Sequence, residues 1–193
     1  MGIISRFPAG ATKPYIEEIY NSDGQLIDVK MYGYESIRNY QFFSCTSLAL
    51  TTLPSGITKI GNNAFSGCSS LALTALPSGI TDIGMSTFSG CSSLALTTLP
   101  SGITKIGNFA FTDCTSLTSL TLPSGITNIG IDAFARCTSL VSLTFEGTPE
   151  SIADAAFVAC DNLTTINVPW AEGAVANAPW GATNATITYG YTG

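Results

Sequence analysis

The sequence predicts an α/β repeat solenoid, a stack of coils with a 23-residue period, on three observations. The six cysteines fall at Cys45, Cys68, Cys91, Cys114, Cys137 and Cys160, each one such period after the last. Three apolar ladders keep the same step: Phe42, Phe65, Phe88, Phe111, Phe134 and Phe157; Ile37, Ile60, Ile83, Ile106, Ile129 and Ile152; Leu48, Leu71, Leu94, Leu117, Leu140 and Leu163. The units Pro54–Leu76 and Pro77–Leu99 agree at 18 of 23 positions, and their differences avoid every ladder. A fixed period in the twenties with apolar residues at constant phase means that each coil stacks its core residues on the equivalent ones next door.

Within a unit, Leu117, Leu120 and Leu122 of CTSLTSLTL give an L-x-x-L-x-L spacing, which predicts a short parallel strand. Pro123-Ser124-Gly125 then ends it, because proline lacks a backbone donor and glycine frees the chain to turn. The following ITNIGIDAFARC, with Ile129, Phe134 and Cys137 facing inward, predicts one short helical or 3₁₀ segment. The recurring Gly61, Gly84, Gly107 and Gly130 are turn glycines, since a phosphate cradle needs clustered glycines before a long helix.

The first three units depart from this pattern, with SLALTTLP or SLALTALP in place of SLTSLTLP. Leu50, Leu73 and Leu96 take the outward position and Thr51, Thr74 and Thr97 the inward one. Strand side chains alternate, so two arrangements stay open: an apolar stripe of exposed leucines, or a shifted strand that buries them beside a bulge. An exposed stripe would mark a partner site.

A solenoid has two open core ends, and the flanks supply candidate caps. Residues 1–36 read as an N-terminal arm and a hairpin, with strand-like Tyr15–Tyr20 and Gln25–Tyr32 around the turn Asn21-Ser22-Asp23-Gly24. Residues 37–168 hold six repeats. Residues 169–193 form a C-terminal cap with Trp170, Trp180 and a strand in which Ile187, Tyr189 and Tyr191 alternate with Thr186, Thr188 and Gly190.

The recurrence of Ile, Phe, Cys and Leu over about residues 37–168 resembles the BspA-like leucine-rich repeats, whose pattern is close to LPxxhxxIgxxAFxxCxxLxxL. That resemblance implies a right-handed, gently curved leucine-rich-repeat solenoid with parallel strands on its concave side. It also implies binding or adhesion, often at cell surfaces, and no chemistry. The IISRFP opening and the Trp/Gly/Asn-rich end resemble the ends of proteins encoded among phage and prophage tail genes of gut bacteria, which implies a virion or cell-surface setting.

Composition and charge narrow the function classes. Only 10% of residues are charged, against roughly 25% in ordinary domains. The net charge is −6, and residues 146–193 carry Glu146, Glu150, Asp154, Asp161 and Glu172 with no Lys or Arg. No basic stripe exists to displace counterions, so nucleic acid is not an expected partner. The N-terminus lacks the apolar core of a secretory signal, and no apolar run is long enough for a membrane span.

Histidine is absent, which removes the commonest general base and metal ligand. The cysteines sit at a core phase between Phe and Leu, where a thiol lacks the polarising neighbour and access that reactivity needs. Asp154, Asp161, Glu146 and Glu150 match no calcium loop and read as solvated acids. No catalytic residue, metal or cofactor is therefore expected. The expected partner is a protein or carbohydrate, taken up on outward strand positions: Leu50, Thr52, Leu73, Ala75, Leu96, Thr98, Ser119, Thr121, Ser142 and Thr144, with Thr165 and Asn167 continuing the face. Trp170 and Trp180 read equally as stacking platforms or as cap core. Assembly through the end segments is the alternative role, and the oligomeric state is left open.

Overall fold

A computed structural model describes the backbone of residues 2–5 and residues 14–193. Residues 1 and 6–13, with the second half of the IISRFP opening, lie outside the described residues. In chain order the strands are β1 (Gly2–Ser5), β2 (Tyr15–Tyr20), β3 (Leu26–Tyr32), β4 (Ser36–Ile37), β5 (Lys59–Ile60), β6 (Asp82–Ile83), β7 (Lys105–Ile106), β8 (Ser119–Leu122), β9 (Asn128–Ile129), β10 (Ser142–Phe145), β11 (Ser151–Ile152), β12 (Thr165–Val168) and β13 (Thr186–Tyr189).

Strands β4 to β13 belong to a parallel solenoid of about seven turns. Each turn places its ladder residues on those of its neighbours. Phe42, Phe65, Phe88, Phe111, Phe134 and Phe157 stack ring on ring, with centroids 5.1–5.7 Å apart and planes within 17°. Apart from the half-buried Cys45, the Phe, Ile, Leu and Cys ladders are buried, which accounts for the strict period: a one-residue slip would put an apolar ladder into water. Two-residue strands β6, β7, β9 and β11 form one parallel sheet, each pairing a buried Ile with its neighbour's, and β4 with β5 does the same at the N-terminal end.

The expected helical or 3₁₀ segment is not there, and no helix forms among the described residues. The reason lies in where the amide protons go. Along Asn63–Cys68 the N–H groups of Asn63, Phe65 and Gly67 donate to Met85, Thr87 and Ser89 in the next coil, at 2.9, 3.0 and 2.7 Å. Those of Ala64, Ser66 and Cys68 donate three residues back, to Gly61, Asn63 and Phe65. A helix needs consecutive local bonds, whereas here every second donor joins two coils. The left-handed backbone of Asn63 (φ 56°) and Gly67 (φ 78°) fits this alternation and cannot belong to an α-helix.

The ends continue the stack. β2 and β3 pair antiparallel around the Asn21–Gly24 turn, and β1 pairs with β2. The carbonyl of Ile27 in β3 accepts the Ala49 N–H at 3.0 Å, as Leu50 accepts Ala72 and Leu73 accepts Ala95 one and two coils later. Ile27 stands one full repeat before Leu50, so β3 occupies the place of a preceding coil and buries Val29 and Met31. At the other end Trp180 stands one full repeat after Phe157, and its carbonyl accepts the Phe157 N–H at 3.0 Å. Trp180 is fully buried against Phe145 and Trp170, and its indole N–H donates to the Ala176 carbonyl at 2.7 Å.

Candidate functional site

The longer strands make one face of the solenoid, a parallel sheet in the order β13-β12-β10-β8. Alternation along each strand turns Leu120, Leu122, Leu143, Phe145, Ile166 and Val168 inward, and all are buried. The residues between them point out in two registered rows. One row is Ser119, Ser142, Thr165 and Thr186; the other is Thr121, Thr144, Asn167 and Thr188. A parallel bridge from Thr121 to Thr98 extends the second row by one coil. Strand spacing puts successive members about 4.8 Å apart, so this row of five spans about 19 Å.

The sequence-derived face divides into two parts. Ser119 is exposed and Thr121, Ser142 and Thr144 are half-buried on the regular sheet, whereas Thr52, Ala75 and Thr98 are exposed on coils that form no strand there. Leu50, Leu73 and Leu96 do not belong to any exposed face. They are 6%, 0% and 1% exposed, and the apolar stripe is thereby excluded. The physical reason is a moved irregularity. From Leu117 to Leu122 the two adjacent outward residues, Thr118 and Ser119, lie between the first and second leucines; from Leu94 to Leu99 they are Thr97 and Thr98, between the second and third. Both arrangements bury three leucines in six residues, and the second does so by giving up the strand.

At the downstream end of the sheet lies an open groove of about 680 Å³. Thr121 and Thr144 lie in it, Glu146, Pro169 and Tyr191 border it, and Thr192, Gly193 and the edge of Phe145 complete its walls. Backbone bonds hold the border: Glu146 N–H donates to Leu122 at 2.9 Å and Tyr191 N–H to Val168 at 2.9 Å. Tyr191 is 39% exposed. Thr121 and Thr144 are among the sequence-derived candidates; Glu146, read from the sequence as a solvated acid, is exposed, and Tyr191 reads there as part of the cap. The available signal was position, since both directly follow or nearly follow a strand of one sheet.

Other candidates resolve as structure. Trp170 and Trp180 are cap core, at 6% and 0% exposure, and offer no stacking platform. The thiols of Cys68, Cys91, Cys114, Cys137 and Cys160 each donate to a Phe carbonyl 26 residues earlier, at 2.9–3.2 Å. Burial pushes the Cys68 thiol up to about 12, and raises Cys91 and Cys114 further, so these groups stay protonated and unreactive. The described residues hold no cluster of three or more His, Cys, Asp or Glu suited to a metal ion. Among them, too, no helix is long and apolar enough to cross a membrane.

Comparison with known proteins agrees with the repeat. Residues 18–114 match the model of the BspA type leucine rich repeat region, in six copies. No curated protein matches the chain. Among solved structures, a leucine-rich repeat protein from Bacteroides ovatus is 26% identical with a TM-score of 0.63, over 83% of this chain and 47% of its own. The chain thus spans about half the length of that protein. A T. pallidum leucine rich repeat protein is also 26% identical, with a TM-score of 0.57 over 97% of this chain and 83% of its own. The pneumococcal vaccine antigen PcpA shares the fold at 19% identity, with a TM-score of 0.60 over 91% and 48% of the two chains.

Proposed function

The chain belongs to the BspA-type leucine-rich repeat family, and from that premise we propose that it is a non-enzymatic recognition module, binding a protein or glycan across its outer strand face. The observation that carries this reading is the pair of registered rows. These small hydroxyl and amide groups stabilise the sheet in part, as where the Asn167 amide donates to the Thr144 hydroxyl at 3.4 Å, and they also leave a continuous polar face open to a partner. Serine, threonine and asparagine both donate and accept hydrogen bonds, lose little side-chain freedom on binding and leave the surface flat. The core is complete without them, so the face can vary with the ligand while the ladders stay fixed. A bacterial surface or phage-tail setting is part of the same reading, supported by the family and by the sequence of the two ends.

The test is the double variant Thr98→Arg/Ser142→Arg, one change in each row. Both side chains point away from the core, so the circular dichroism spectrum and melting temperature are expected to stay as in the parent. Binding to bacterial cells or to host surface extracts is expected to fall at least tenfold. Undiminished binding by a folded variant overturns the reading.

One observation favours a second role, assembly through the ends: β1 and β13 are the outermost strands of their sheets among the described residues. An outermost strand can pair with another chain. Tyr189→Pro removes a donor from the open edge of β13, since the alternate residues Thr186 and Thr188 point their N–H groups at β12; it separates the two readings if it abolishes incorporation into a larger complex while the Thr98→Arg/Ser142→Arg variant does not.

A further inference from the structure

We infer that the groove at the downstream end of the strand face is a subsite for a neutral pyranose glycan, with Tyr191 as the surface on which a sugar ring packs and Glu146, Thr121 and Thr144 as its hydrogen-bonding groups. This rests on the recognition reading above and narrows it to one ligand class at one place.

The chemistry of the walls selects the ligand. A pyranose has an apolar face of C–H groups and a rim of hydroxyls that donate and accept. Tyr191 presents an aromatic ring that is 39% exposed, beside Pro169, as the apolar contact. Glu146 offers an acceptor-only carboxylate for sugar hydroxyls, and Thr121 and Thr144 offer hydroxyls of both kinds, one strand spacing apart. A volume of about 680 Å³ is within the usual range for small-ligand sites.

Charge decides between sugar classes. Glu146 is the one ionisable side chain among the groove's wall residues apart from the Tyr191 phenol, and residues 146–193 contain five acids and no Lys or Arg. An anionic wall with no counter-charge repels uronic acids, sialic acids, sulfated glycans and phosphates alike. A peptide cannot add as a strand along β10, because the backbone of Thr144 is already paired on both sides, to β8 and to β12.

The experiment is affinity electrophoresis of the full chain through gels containing yeast mannan, xyloglucan, mixed-linkage glucan or galactan, with polygalacturonate as the anionic control. Retardation by at least one neutral polysaccharide is expected, with at least a tenfold loss of affinity in Tyr191→Ala and a smaller loss in Glu146→Gln. Both side chains lie outside the ladders, and an unchanged melting temperature verifies each variant. Three results overturn the inference: no retardation by any neutral polysaccharide, retardation by polygalacturonate to the same degree, or retardation that neither substitution reduces. Run beside the cell-binding assay, the gels separate two failures. Cell binding that needs Thr98 and Ser142, without neutral-glycan retardation, removes the glycan subsite and keeps the recognition face; loss of both removes the two together.

Discussion

The Sγ of Cys114 donates across 3.1 Å to the carbonyl oxygen of Phe88, 26 residues earlier and one coil away. That carbonyl already accepts the N–H of Cys91 at 3.1 Å, so the thiol satisfies its second lone pair. Cysteine suits the position because it is small enough for the stacked interior, apolar enough to bury and still a weak donor. Cys114→Ala is expected to lower stability by about 1–2 kcal/mol, from a small void and a carbonyl left with one partner. Cys45→Ala, at the half-buried first rung, is expected to cost less than about 0.5 kcal/mol. Urea unfolding of the two variants reads the contrast, and equal losses would remove the role assigned to the buried thiol.

Alkaline pH should weaken the fold through the same ladder. Burial holds the Cys68 thiol protonated up to about 12, and Cys91 and Cys114 are pushed up by the same cause, while an unfolded cysteine ionises near ~8.5. The folded state thus keeps protons that the unfolded state releases. Stability is fully present below about pH 8.5 and declines as the pH rises towards 12. Urea midpoints are expected to fall between pH 8 and 10.5. A midpoint that stays level over that range would contradict the burial of these groups.

Close contact between coils makes Gly107 intolerant of a side chain. A Cβ there would stand 2.9 Å from both the carbonyl carbon of Gly84 and the amide nitrogen of Met85, which are backbone atoms and cannot swing away. Gly107→Ala is expected to destabilise by about 2 kcal/mol or more through forced separation of two coils. Gly24→Ala is the control, since no atom lies within 4 Å of its added Cβ and only its φ of 76° is strained. Thermal melting of the pair checks the difference.

Trp180 takes the place of the next phenylalanine and closes the core. Trp180→Ala is expected to cost about 3–5 kcal/mol. Because each coil depends on its neighbours, the loss should concentrate at the C-terminal end. Hydrogen exchange is expected to accelerate in β12 and β13 before the Phe65 to Phe111 coils change. Uniform acceleration along the chain would mean that the solenoid unfolds as a single unit.

The sequence by itself determined the period, the ladders and the closed core, because a regular repeat of Ile, Phe, Cys and Leu has one economical packing, each rung upon the next. It also placed Thr121, Thr144, Ser119 and Ser142 outward, since alternation between buried leucines leaves them nowhere else to point. Three matters were decided only by the tertiary structure, and each turned on partners far away in the chain. The apparent helix after Ile129 dissolved because alternate amides bond to the next coil, a choice that no local pattern of apolar residues records. Leu50, Leu73 and Leu96 went inside because moving one outward residue past the second leucine buries as many leucines as keeping it, and only the neighbouring coils select between the two. Glu146 and Tyr191, 45 residues apart, became one groove because β10 and β13 lie in one sheet, with a single strand between them.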